Sequence, residues 1–368
     1  MLSSQRLVFF DRYFPLRRQS SLPSADHVCR GILIVLIVLG HIEIFRTNFF
    51  PAYSALYNFH VQAFLILPFI REKHVSVQRS VASSIWFYYK PFVIFVAVYF
   101  AAFCAYTYED ASPGDWMLRF LRAVTLANSV SLDQATGFEL FWFLPTFILL
   151  MLVRRIWTGA EAASRLLILV AAAAAHLFAA LWLRPHVVWL PWGLPILLYM
   201  LLPCLIASYL GGPEVGRRWR VVASGVLFAL CLSLCVVLKL RINLSDYQVY
   251  DAFSPGALLI TDITMIAGAL FIYGISHWIR SRLVGLIGSY SLQIYLIHGI
   301  VAFALVAAVK PFDLPPLLGV VLSFGAVMAV SLLASFGLMA SPVGKWIFAT
   351  HGPRGTVPSL AQESPSTV

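Results

Sequence analysis

Charge is scarce in this chain: of 368 residues, 11% are Asp, Glu, Lys or Arg, whereas 60% are apolar. A soluble domain carries roughly a quarter charged residues, so a water-exposed fold is excluded and the chain reads as one made for lipid. Polar stretches long enough to separate domains are also missing, because apolar segments follow one another over 28–340. The expected organisation is a short cytoplasmic segment (1–27), one membrane domain (28–340) and a cytoplasmic tail (341–368) whose Ser and Pro content reads as disordered. The first 27 residues lack an apolar run of signal-peptide length, since 7–10 is too short. Cys29, Cys104, Cys204, Cys231 and Cys235 have neither metal-type spacing nor an extracellular pairing framework. They read as small apolar fillers.

What charge there is has one sign in excess, +10 overall. Nucleic acid binding is the usual first thought for such an excess, and placement decides against it. With both termini inside and ten spans, Arg46, Arg119, Arg122, Arg184, Lys239, Arg241 and Lys310 fall outside. Those are seven of the 26 Lys and Arg, leaving 19 for the inner face and the ends. Cytoplasmic termini follow from the positive-inside rule, which also accounts for the pairs Arg154-Arg155, Arg217-Arg218 and Arg280/Arg282.

The expected fold is therefore all-α: a polytopic bundle of about ten transmembrane helices over 28–46, 53–70, 84–108, 138–157, 166–184, 192–210, 219–239, 257–276, 284–308 and 316–339. The second span carries Tyr57, Asn58, His60 and Gln62, groups that a lipid-facing helix rejects, so it is expected inside the bundle. The stretch 109–137 reads as the longest outer loop. Trp142, Trp189 and Trp192 read as an aromatic belt at the outer ends.

Chemistry-bearing groups are few and stand out. Arg30 and His41 are eleven residues apart, three helical turns plus about 20°, so both lie on one face and about 16 Å apart along it. Arg30 then marks the cytoplasmic edge and His41 a point past the midplane. An intramembrane imidazole is a functional candidate by default, although a histidine hydrogen-bonded inside a bundle gives the same pattern. His60, Asp262 and His298 are expected at a similar depth, where Asp262 could orient an imidazole or simply lie at the rim. Glu43 reads as a rim residue. None of the three histidines shares a helix with another at the i,i+3 or i,i+4 spacing, so no metal is expected.

These residues carry a resemblance. Asp26-x-x-x-Arg30-Gly31, followed by His41 after ten intervening residues, resembles the signature of the acyltransferase-3 family of membrane O-acyltransferases. Phe59-His60-Val-Gln-Ala-Phe64 is similar to its Phe-His-Met-Pro-Leu-Phe element, with Leu67-Pro68 where Ser-Gly is usual. Leu140-Phe-Trp142-Phe-Leu144 resembles its Trp-Phe-Leu segment, and Ser291-Leu-Gln-Ile-Tyr295-Leu-Ile-His298 its Ser-Leu-x-Ile-Tyr-Leu-x-His segment.

The resemblance implies transfer of an acyl group, usually acetyl from acetyl-CoA, to a hydroxyl of a sugar or lipid-linked glycan. It implies a multi-pass protein of the inner membrane working with polysaccharide assembly machinery, with acetyl-CoA or another acyl-CoA as donor substrate and no permanently bound cofactor. His41 would act as general base or acyl acceptor and Arg30 would hold the CoA phosphate, with Asp26, His60, Asp262 and His298 as supporting groups. Two other classes also fit polar groups within a helix bundle: a transporter or flippase of a lipid-linked saccharide, for which no internal repeat is visible, and an assembly subunit whose histidines only pack.

Overall fold

The computed structural model describes residues 23–71, 81–107, 112–181, 190–240, 242–243, 248–249, 254–309 and 314–349. The expected sites Arg184, Trp189, Arg241 and Lys310 lie outside them. The helices, in chain order, are α1 (Ala25–Gly40), α2 (Glu43–Asn48), α3 (Phe50–Tyr57), α4 (His60–Ile70), α5 (Val81–Thr107), α6 (Pro113–Leu126), α7 (Ser129–Thr136) and α8 (Phe143–Gly159). There follow α9 (Ala162–Leu181), α10 (Leu194–Leu210), α11 (Arg218–Val237), α12 (Pro255–Ser276), α13 (Arg282–Ser289), α14 (Ser291–Val309), α15 (Pro316–Ala340) and α16 (Pro342–Ile347). Between α11 and α12, Ile242↔Val249 and Asn243↔Gln248 make one short antiparallel pairing.

Among the described residues seven helices are long and apolar enough to cross a membrane: α5, α8, α9, α10, α11, α12 and α15. They coincide with seven expected spans. The expected span 284–308 is α13 and α14, bent by 80° at Tyr290. The first two expected spans are broken. Instead of running straight through 28–46, α1 ends at Gly40, and the extended Ile42 (φ −82°, ψ 110°) starts α2. Likewise 53–70 is split at Phe59 (φ −148°, ψ −30°) into α3 and α4.

Burial separates a core from a lipid-facing shell. Nine of the eleven residues of α4 are buried, and a helix covered all round belongs in the interior. That agrees with its polar composition. The apolar window of α11 is only 17% buried and that of α9 22%, so both present Leu and Val to lipid. Helix α1 packs against α4, α12, α13, α14 and α15 and is the centre of the bundle.

The tightest approach is between α1 and α13. A Cβ on Gly31 would overlap the Val284 carbonyl oxygen, and one on Gly288 would overlap the His27 carbonyl oxygen. The two backbones are thus in contact, a spacing that only small residues permit in a membrane bundle.

Three further expectations change. Most of the stretch taken as an outer loop is helical. Helix α6 packs on α5, with Trp116 beside Phe103 and Phe100, Phe120 on Phe100, and the Val124 carbonyl accepting from Tyr89 Oη (3.0 Å). Ala127 in the left-handed region (φ 49°) turns the chain, and Asn128 caps α7. Trp142 is 6% exposed and packs on Phe143, so it is a core residue and not part of a belt. The tail expected to be disordered begins with α16, capped by Ser341 and held by the buried pair Ile347 and Phe348. Residues 350–368 lie outside the described residues.

Replacement of Gly288 by Ala is expected to destabilise the protein by at least about 1–3 kcal/mol through overpacking. Gly325→Ala, at a position with no neighbour within 4 Å, should leave it unchanged. Thermal unfolding of the two variants in detergent makes the comparison.

Candidate active site

Asp26 sits in the first turn of α1, and its two carboxylate oxygens hold two guanidinium groups. Arg30 Nη2 donates to Oδ2 at 2.6 Å, one turn along the same helix, and Arg71 Nε, at the end of α4, lies 2.9 Å from Oδ1. The carboxylate therefore ties the start of α1 to the end of α4. Two cations against one anion leave a net positive charge, and Arg30 Nε is buried without a hydrogen-bond partner among the described residues.

Arg30 and Arg71 open onto a cavity of about 160 Å³ whose walls include Ile37, Phe64, Phe143, Phe147 and Tyr295, with Ser289, Ser291 and Gln293 near the bend between α13 and α14. Leu67 and Pro68, where the family pattern has Ser-Gly, also line it. A polar end and an aromatic body follow from this lining.

Beyond the cavity three imidazoles gather from three helices. His41 terminates α1, with Nδ1 2.7 Å from the Ile37 carbonyl oxygen. His298 of α14 lies edge-on to it with ring centroids 5.1 Å apart, and its Nδ1 is 2.8 Å from the Tyr295 carbonyl oxygen. His60 opens α4, with Nδ1 2.7 Å from the Leu56 carbonyl oxygen. Its Nε2 would stand 3.4 Å from a Cβ on Gly40, so it abuts the backbone beside His41.

The cavity residues Ile37 and Tyr295 thus supply the carbonyls that hold His41 and His298. A carbonyl only accepts, so Nδ1 donates in each ring, and in the neutral imidazole the basic lone pair is on Nε2. The Nε2 atoms of His60 and His298 are buried without a partner among the described residues. An unsatisfied buried polar atom costs about 1–3 kcal/mol, and two of them lie beside His41.

Tyrosines fix this geometry. Tyr57 Oη donates to the Gly40 carbonyl (3.3 Å) and its ring meets His60 edge-on at 4.8 Å. Tyr99 Oη accepts from Ile300 N (2.8 Å) and donates to the Leu296 carbonyl (3.0 Å). The hydroxyl is thereby inserted into the i→i−4 ladder of α14 on either side of His298, a recognised cause of local helix distortion. Tyr295 Oη donates to the Leu140 carbonyl.

Asp262 does not reach this cluster. It pairs with His176 of α9, whose Nε2 is 2.9 Å from Oδ2, while Tyr199 Oη of α10 donates to Oδ1 at 3.2 Å. His176 Nδ1 is 2.6 Å from the Tyr199 carbonyl. The acid does orient an imidazole, but a different one from His41, and it lies in the second turn of α12 rather than at a rim. His176 escaped the sequence reading because it stands in an alanine run, although the rule that singled out His41 applies equally to it. Arg71 carries no local signal in the sequence, since its partner Asp26 is 45 positions away. Glu43 pairs with Arg46 at 2.8 Å in the open, as a rim residue does. Among the described residues no group of three or more His, Cys, Asp or Glu could hold a metal ion.

The sequence model of the acyltransferase-3 family, described as an acyltransferase domain, matches residues 27–336. The chain belongs to this family. It is a multi-pass membrane acyltransferase, and the match takes in Arg30, His41, His60, Asp262 and His298. Comparisons with curated proteins and with solved structures give no match.

A double-mutant cycle separates the two polar clusters. His176→Ala and Asp262→Ala are expected to be coupled by about 1–3 kcal/mol in unfolding experiments, whereas Asp262→Ala and His41→Ala should add within roughly 0.5 kcal/mol.

Proposed function

We propose that this acyltransferase moves an acetyl group from acetyl-CoA to a sugar hydroxyl of an exopolysaccharide, lipopolysaccharide or related surface glycan at the inner membrane. The observation that carries the reading is α1 with Arg30 on the cavity wall near its start and His41 at its end, where Nδ1 meets the carbonyl of the cavity residue Ile37. Their separation of about 16 Å suits an extended pantetheine arm, with the CoA phosphates at Arg30 and the thioester at His41.

His41 Nε2 takes the proton of the sugar hydroxyl as its oxygen adds to the thioester carbonyl. The C–S bond then breaks, and the thiolate recovers the proton to leave as CoA. In the two-step route Nε2 adds to the thioester carbonyl and the C–S bond breaks, releasing the CoA thiolate; the sugar oxygen then adds to the acyl carbon, the C–N bond breaks to return the imidazole, and the hydroxyl proton passes to the thiolate. His298 and His60 hold the ring and accept hydrogen bonds from substrate hydroxyls through their unpaired Nε2 atoms. Asp26 keeps Arg30 and Arg71 directed at the donor.

The same reading sets the topology. Counting α1–α2 and α3–α4 as two interrupted crossings beside the eight candidate spans gives ten, with both termini cytoplasmic, Arg30 on the side of acetyl-CoA and His41 towards the glycan.

The test is the O-acetyl content of surface glycans from cells carrying wild type, His41→Ala or no copy, at equal protein in the membrane. Wild type is expected to restore the acetyl groups and His41→Ala to lower them by at least about a hundredfold in rate. Glycans identical in all three strains would contradict the proposal and turn attention to saccharide transport.

A further inference from the structure

The bend between α13 and α14 leaves the start of a long helix inside the bundle. α14 runs for 19 residues, and its first turn begins with the bond from Ile294 N to the Tyr290 carbonyl (2.9 Å). The amides of Ser291, Leu292 and Gln293 precede that bond and are the orphan donors that every helix start exposes, at the positive end of the helix dipole. All three residues line the cavity that Arg30 and Arg71 open onto.

Ser291 supplies an independent observation. It is 4% exposed and lines the cavity, yet its hydroxyl makes no hydrogen bond among the described residues. Ser289, two positions earlier, differs in bonding back to the Leu286 carbonyl (2.7 Å). Its place on the wall leaves the hydroxyl available to an occupant of the cavity, which it shares with two guanidinium groups balanced by one carboxylate.

We propose that the bend between α13 and α14 is a phosphate subsite, in which the Ser291 hydroxyl and the first amides of α14, with Arg30 and Arg71, hold the pyrophosphate of the acyl-CoA donor. The inference rests on the acyl-CoA reading above and assigns the donor's anchor within it. Helix starts are ready-made anion sites, and interrupted membrane helices place them within a bundle. The contact of Gly288 with His27 brings this helix start beside Arg30. Seven residues separate Ser291 from His298, about 10 Å along α14, so the phosphates would lie in the cavity and the reacting carbonyl beyond it, one above the other along α14.

The experiment is equilibrium binding of CoA and of pantetheine, which lacks the phosphates, to the purified full-length chain in zwitterionic nanodiscs. Wild type is compared with Ser291→Ala, Ser291→Thr and Ser291→Asp. Ser291→Ala is expected to weaken CoA binding roughly tenfold, the worth of one hydrogen bond to a charged group, and Ser291→Asp further, by charge repulsion. Ser291→Thr, which keeps the hydroxyl, should bind as wild type does, pantetheine should bind equally to all four, and inorganic pyrophosphate should displace CoA. CoA binding that is unchanged in Ser291→Ala and Ser291→Asp, or an equal loss of pantetheine, overturns the subsite and leaves the acyl-CoA reading standing. Absence of CoA binding to wild type would instead overturn the acyl-CoA reading and the subsite with it.

Discussion

Gly31 and Gly288 bring two helix backbones into contact at the middle of the bundle, and the polar groups of the candidate site take their positions from that meeting. With α13 pressed on α1, the chain leaves α13 at Ser289 beside Arg30, bends at Tyr290 and sends α14 along the same cavity. Helices α1 and α14 are thereby aligned: Arg30 and Ser291 share one end, and His41 and His298, with ring centroids 5.1 Å apart, share the other. A side chain as small as methyl at either glycine would separate the helices and displace both ends together.

The bundle keeps two sets of polar side chains apart. Asp26, Arg30, Arg71 and the three imidazoles line or adjoin one cavity and include several unpaired donors and acceptors. Asp262, His176 and Tyr199 satisfy one another between α9, α10 and α12. The first arrangement has the open valences a reaction needs, while the second is closed on itself and fastens an otherwise lipid-facing helix to the core. Burying such a pair is not a net gain in stability, but removing one partner strands the other.

Hydropathy made most of the fold legible because a long apolar run needs no partner to declare itself: α5, α8–α12 and α15 were all visible in this way. Breaks were not visible, since Ile42, Phe59 and Tyr290 are apolar or aromatic residues that change the chain's direction without changing its composition. The amphipathic α6 hid inside a stretch read as a loop because Arg119 and Arg122 lowered its apolar content. At the site, the spacing of Arg30 and His41 marked the pair before any coordinates, and the structure places Arg30 in the second turn of α1 and His41 at its C-cap. Partners across helices were another matter: nothing in the alanine run around His176 names Asp262, and nothing near Trp142 tells that it is buried.

The central claim is that one helix face divides donor binding from chemistry. Steady-state kinetics of the purified protein with acetyl-CoA and a glycan acceptor tests it through Arg30→Ala and His41→Ala. Arg30→Ala is expected to raise the donor KM by at least about tenfold with a smaller change in kcat, and His41→Ala to lower kcat by roughly 10²–10⁴ with the donor KM held. Equal effects of both substitutions on the same constant, or no effect of His41→Ala on kcat, would contradict it.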